Sequence, residues 1–109
     1  MSRTSTDVIQ GTLDMLILRS VALEPMHGFG ITQRIEQISG GVFRVNPGSL
    51  LLAFQRMERA GLLDAEWQTT ENNRRAKVYR ITDSGRKQLK EQRRDWERRA
   101  AAIARLLEA

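Results

Sequence analysis

The side chains able to do chemistry in this chain are few, and most of them are cations. Cysteine is absent and His27 is the single histidine, so disulfides and thiolate metal sites are excluded and a histidine metal centre lacks a second ligand of its kind. The carboxylates Asp14, Glu24, Glu36 and Glu58 are scattered over helical stretches, with no histidine partner, nucleophile motif or phosphate loop beside them. The reading is therefore no enzyme, no metal and no cofactor. What remains is the binding of polyanions. Lys and Arg number 18 against 13 Asp and Glu, a net charge of +5, and the isoelectric point is near 10.7. A domain above about pI 9 meets the first criterion for a nucleic-acid partner. Acidic lipids and acidic proteins attract the same charge, so its placement decides.

Two stretches place it. Residues 46–61, NPGSLLLAFQRMERAG, read as one short helix with its start, faces and stop written in. Asn46 is a good N-cap, and Pro47 suits the first helical position, where a missing N–H costs nothing. Leu50, Ala53, Phe54, Met57 and Ala60 recur at helical steps as one apolar stripe, while Ser49, Gln55, Arg56 and Arg59 share the wet face and Gly61 ends the helix. A positive helix N-terminus with Gly48 and Ser49 in its first turn lets a phosphate or base edge come close. Taken alone, this stretch is better accounted for as an ordinary amphipathic surface helix; the second stretch shifts the balance. Residues 62–67 and 76–81 alternate as strands, and TTENNRR between them is a hairpin connection carrying Asn72, Asn73, Arg74 and Arg75, with Lys77 just beyond.

The rest of the chain positions these two. Its 109 residues suffice for one small domain. Residues 7–23 form a helix whose stripe includes Val8, Ile9, Leu13, Leu16, Ile17, Val21 and Leu23, widened by Met15 and Leu18. Pro25 and Gly28 break the chain, and a second helix over 27–39 turns Phe29, Ile31, Ile35 and Ile38 inward. Gly40-Gly41 stops it, residues 42–45 have the composition of a short strand, and Trp67 belongs to the core. From Thr82, an N-cap by residue type, nothing interrupts a helix to Glu108, in which Leu89, Trp96, Ala100, Ile103 and Leu107 make a heptad-like seam. Such a helix is nearly 40 Å long by its rise of about 1.5 Å per residue. Its seam calls for a partner, and a second copy of the chain is the simplest one. No apolar run approaches the roughly 18 residues of a membrane span, and MSRTSTD is no signal peptide, so a cytoplasmic protein is expected.

This order is that of a winged helix-turn-helix. The expected fold is mainly α with a small β-hairpin: residues 1–81 form a winged helix-turn-helix DNA-binding domain and residues 82–109 a C-terminal dimerisation helix. A basic hairpin after a helix-turn-helix is what gripping a DNA backbone requires, because phosphate contacts fix register while base edges are read.

At GTLDMLILRSVAL, HGFGI, GGVFRVNPGSL and ENNRRAKVYRIT-x-x-GR the chain resembles the PadR family of bacterial transcriptional regulators, short class, over almost its whole length. The resemblance implies a dimeric winged helix-turn-helix, usually a repressor that leaves a palindromic operator when an effector binds. Family members typically carry tyrosine and proline after Gly-Ser-Leu, where this chain has Leu51 and Leu52, and a more polar residue is common at Pro47. The two leucines could meet thymine methyls, altering specificity, or weaken DNA binding. The DNA-facing set is thus Asn46, Gly48, Ser49, Leu51, Gln55, Arg56, Asn72, Asn73, Arg74, Arg75 and Lys77, with Arg59 undecided and His27 a turn residue that the resemblance places near the backbone. Met15, Leu89, Trp96, Ala100, Ile103 and Leu107 form the dimer interface or an effector site. Trp96 is either a knob in the seam or, as the resemblance supports, one of two facing indoles that stack a planar apolar compound. Two competitors stand beside the regulator: a winged-helix protein-interaction module with weak non-specific DNA binding, and a membrane-surface protein, against which the narrow heptad-like seam argues.

Overall fold

The computed structural model describes the backbone of residues 2–109 and the side chains of residues 12–109. The expected inward positions Val8 and Ile9 lie outside the described side chains. The elements are α1 (Ser2–Leu23), β1 (Met26–His27), α2 (Gly28–Ile38), α3 (Pro47–Arg59), β2 (Leu63–Thr69), β3 (Arg75–Ile81) and α4 (Asp83–Glu108). The strands form one antiparallel sheet in the order β1-β3-β2. The fold is mainly helical with a small sheet and a long last helix.

The core lies where α1, α2, α3 and the sheet meet. Ile17, Leu18 and Val21 of α1, Ile31 and Ile35 of α2, Leu50, Ala53, Phe54 and Met57 of α3, and Leu63 and Tyr79 of the sheet are buried. The α3 stripe is the expected one except for Ala60, which is exposed as the C-cap. Phe54 stacks on Tyr79, with ring centroids 4.1 Å apart and planes at 23°.

Further expectations are corrected. Leu23, in the last turn of α1, is exposed and not part of the buried stripe. Phe29 is 70 % exposed: two helical steps from Ile31 turn it by about 200°, to the opposite side of α2. Ile38, at the end of the helix, runs past the core and is exposed too. Residues 42–45 form no strand. Gly40 and Gly41 take positive φ, 63° and 81°, a tight turn in which the Val42 N–H donates to the Ser39 carbonyl and the Phe43 N–H to Ser39 Oγ. The sheet takes its third strand from Met26–His27 instead, Met26 pairing with Tyr79 and His27 with Val78. Trp67 is not core but 57 % exposed. Leu63 and Ala65 precede it on the same face of β2 and reach the margin of the core first.

Helix α4 is anchored by its start. Thr82 Oγ1 accepts from the Gly85 N–H at 3.0 Å and donates to the Gly61 carbonyl at 2.6 Å, and the Thr82 N–H donates to the Leu62 carbonyl at 3.1 Å. Gly85 is buried against that turn. A Cβ there would overlap the Leu62 carbonyl oxygen and approach Ile81 Cγ1 to 2.7 Å. Gly85→Ala should therefore destabilise the fold by about 1–3 kcal/mol, as overpacking does, read as a lower thermal midpoint. An unchanged midpoint would contradict the close packing.

Burial raises the Tyr79 phenol above its ordinary value of 10.0. The unfolded chain then releases this proton first. The stabilisation is complete below pH 10 and is lost as pH rises through the folded value. Tyr79 is the chain's one tyrosine, so phenolate absorbance reads it directly. Its midpoint should lie above 10 in the native protein and return toward 10 in denaturant.

Candidate nucleic-acid interface

Helix α3 presents its first turn to solvent. Asn46 Oδ1 accepts from the N–H groups of Gly48 and Ser49 at 2.8 and 3.3 Å, and Pro47 has no N–H to satisfy. Asn46, Gly48 and Ser49 are exposed. Asn46 thus has its side-chain oxygen committed to the cap, while its amide nitrogen makes no hydrogen bond among the described residues. A Cβ on Gly48 would meet only Asn46 Oδ1, so its approach face is open. Leu51 and Leu52 are 54 % and 66 % exposed, and Gln55 and Arg59 continue the wet face.

Arg56 is not a free member of this row. Its Nη1 and Nη2 donate to Asp14 Oδ2 and Oδ1 of α1 at 2.6 and 2.7 Å, a two-pronged fork on a largely buried carboxylate. Donating to the Asp14 carboxylate raises the Arg56 guanidinium above its ordinary value. Lys77 is engaged likewise. Its Nζ donates to Glu58 Oε1 of α3 at 2.7 Å, which raises the ammonium above its ordinary value. These two cations, expected among the DNA-facing residues, sit in ion pairs that hold α3 to α1 and to the sheet.

The uncompensated charge lies elsewhere. Among the described residues Arg59, Arg74 and Arg75 make no ion pair, while Arg80 is taken by Glu66. The turn between β2 and β3 is closed by the Thr70 N–H on the Arg74 carbonyl at 2.7 Å, the Asn73 N–H on the Thr70 carbonyl at 2.9 Å and the Arg74 N–H on Thr70 Oγ1 at 3.3 Å. Asn73 has φ 59°, a left-handed conformation that asparagine tolerates well. Asn72, Asn73 and Arg74 are exposed at this tip, and the Arg75 guanidinium lies 5.2 Å from the centroid of the Trp67 ring.

His27 caps α2, its Nδ1 accepting from the Gly30 N–H at 3.2 Å. Among the described residues no group of His, Asp and Glu is arranged for a metal, and no helix is long and apolar enough to cross a membrane.

The second set of expected residues only partly coincides. Met15 of α1 with Trp96, Ala100, Ile103 and Leu107 of α4 lines an open groove of about 750 Å³. Leu89 is not in it; it packs against the core instead, because it lies in the second turn of α4, over the sheet. Trp96 also borders a smaller groove of about 570 Å³ that runs to Val45, Asn46 and Ser49 at the start of α3. Sequence reasoning missed Asp14 and Glu58, the partners of the two cations, since nothing local marks a pair formed across 42 or 19 residues. It also missed Trp67 as a surface residue.

A helix-turn-helix with an exposed second helix, followed by a basic two-stranded wing, defines a winged-helix DNA-binding domain. Residues 17–91 match the Transcriptional regulator PadR-like family. The chain is 38% identical over 87 residues to a transcriptional regulator of Mycobacterium tuberculosis, covering 80% of this chain and 78% of that protein. It superposes on a transcriptional regulator from Clostridium thermocellum with TM-score 0.82 at 28% identity, covering 91% and 96% of the two chains. It also superposes on a PadR family regulator from Eggerthella lenta with TM-score 0.80 at 28% identity, covering 99% and 92%. The chain belongs to the PadR-like family: it is a DNA-binding transcriptional regulator and not an enzyme.

The Asp14–Arg56 pair makes a prediction of its own. Fork geometry at a half-buried site lies between an exposed pair and a buried one, so a double-mutant cycle of Asp14→Ala and Arg56→Ala should give a coupling of about 1–2 kcal/mol in unfolding free energy. Coupling near zero would show that the fork does not tie α3 to α1.

Proposed function

We propose that the protein is a dimeric, sequence-specific repressor in the cytoplasm, and that it leaves a palindromic operator when a planar apolar compound binds. Residues 1–81 grip DNA and residues 82–109 pair two copies. The observation that carries the reading is the juxtaposition of a wet, well-capped α3 start with a wing whose tip arginines, Arg74 and Arg75, make no ion pair among the described residues. In this reading Asn46, Gly48, Ser49, Leu51 and Gln55 face the major groove, and Asn72, Asn73, Arg74 and Arg75 hold the backbone. Arg56 and Lys77 act one step back, by fixing the attitude of α3. Two copies of α3 read half-sites about one helical turn apart.

Pairing through α4 is supported by what the chain leaves bare. Trp96 is 53 % exposed, and Ile103, Leu106 and Leu107 are exposed as well. The groove between Met15 and Trp96 has the apolar walls a flat compound needs, and a ligand beside Trp96 would also lie near the cap of α3. A second reading, a winged-helix module for a protein partner, draws on the exposed Leu51 and Leu52.

Fluorescence anisotropy with the DNA upstream of the chain's own gene and with a scrambled duplex, across a salt series, separates the two. The proposal expects tight binding of the upstream DNA alone at physiological salt, with log K falling by about 0.9 for each phosphate neutralised per decade of salt. Equal, weak binding of both duplexes would favour the protein-partner reading. In sedimentation, Trp96→Ala should weaken the dimer by about 2 kcal/mol, about thirtyfold in Kd; an unchanged dimer would remove Trp96 from the seam.

A further inference from the structure

We infer that Trp67 and Arg75 act as one unit of the wing, docking an indole wall and a fixed guanidinium on the sugar–phosphate backbone of duplex DNA; the inference rests on the DNA-binding reading above. Trp67 is a large apolar side chain left in water although the core does not need it, since Leu63 and Ala65 already complete that face of β2. Its directly paired neighbour on β3 is Lys77, and Arg75 lies diagonally beyond. The Arg75 guanidinium sits 5.2 Å from the ring centroid, within the range of a cation–aromatic contact.

The charges around the stack determine what it can hold. Glu66 is taken by Arg80 and Glu58 by Lys77, so these nearby carboxylates are satisfied while Arg75 makes no ion pair among the described residues. The result is a planar cation oriented by an aromatic face and not neutralised by the chain. A phosphate presents two oxygens to such a fork. The apolar face of the adjoining deoxyribose fits the indole, and the free tip residues Asn72, Asn73 and Arg74 continue along the same backbone. Trp67 is a positioning residue for Arg75, and its ring also covers the sugar.

The test uses the full chain with the upstream duplex and a scrambled duplex of the same length. The chain has two tryptophans, so Trp67→Phe leaves Trp96 as the only indole. The emission change that DNA produces in the wild type should be largely lost in Trp67→Phe. Trp67→Ala should bind both duplexes about two- to fivefold more weakly, and Trp67→Phe should fall between it and the wild type. Circular dichroism melting identifies any part of the loss due to unfolding. Arg75→Ala should lower the salt slope by about 0.9, whereas Trp67→Ala keeps it. In the Arg75→Ala background, Trp67→Ala should cost less affinity than it does in the wild type, because only its contact with the sugar is left to lose. Wild-type affinity in Trp67→Ala, or an undiminished emission change in Trp67→Phe, overturns the inference while leaving DNA binding intact. A wild type that binds neither duplex overturns the DNA reading and this inference together.

Discussion

The burial of Leu50, Ala53, Phe54 and Met57 along one side of α3 is the interaction on which the rest of this structure depends. Full burial of such side chains stabilises by about 1.5–3 kcal/mol each for the larger ones, more than any single half-exposed ion pair. The stripe therefore sets where α3 lies, and the ion pairs set how it is rolled. Asp14 holds Arg56 from α1, and Lys77 holds Glu58 from β3. Because both pairs leave from flanks of the helix, the first turn and the residues Leu51, Leu52 and Gln55 stay in water. A recognition helix needs this combination: a fixed seat, a fixed attitude and a wet face.

The same economy of contact explains α4. Thr82 and Gly85 lock its start to the turn that follows α3, so the direction of α4 is coupled to the seat of α3. Beyond Leu89 the apolar residues on the seam lose contact with the core, and Trp96 and Ile103 stand half in water. The groove they share with Met15 connects around Trp96 to a second one that ends at Asn46 and Ser49. In the proposed repressor, a compound or a second copy seated there acts on neighbours of the α3 cap over a short distance. No long relay is needed.

Much of this was legible in the chain because its signals are local. Asn46-Pro47 at the start of α3, Gly61 after its end, the alternation of the two wing strands and Thr82 before α4 each specify backbone conformation within a few residues, and the structure has them where the sequence puts them. The apolar residues of α3 follow from period alone. The errors arose where tertiary context decides. Period assigns a side of a helix or strand but not how far the core extends along it, which is why Ile38 and Trp67 are exposed. A strand-like composition at residues 42–45 forms no strand after the Gly40-Gly41 turn, and β1 takes the place beside β3. The site was only partly legible. Charge and turn chemistry marked the wing, but whether an arginine is free or spoken for depends on a carboxylate brought close by the fold, as with Arg56 and Asp14.

Hydroxyl-radical footprinting of the protein on the DNA upstream of its own gene tests the central claim most directly. The account predicts protection in two patches on one face of the duplex, centred about one helical turn apart and related by a two-fold axis, each flanked by a shorter patch from a wing. Protection spread evenly along the duplex, or a single patch without a symmetric mate, would contradict a dimer that reads DNA through two copies of α3.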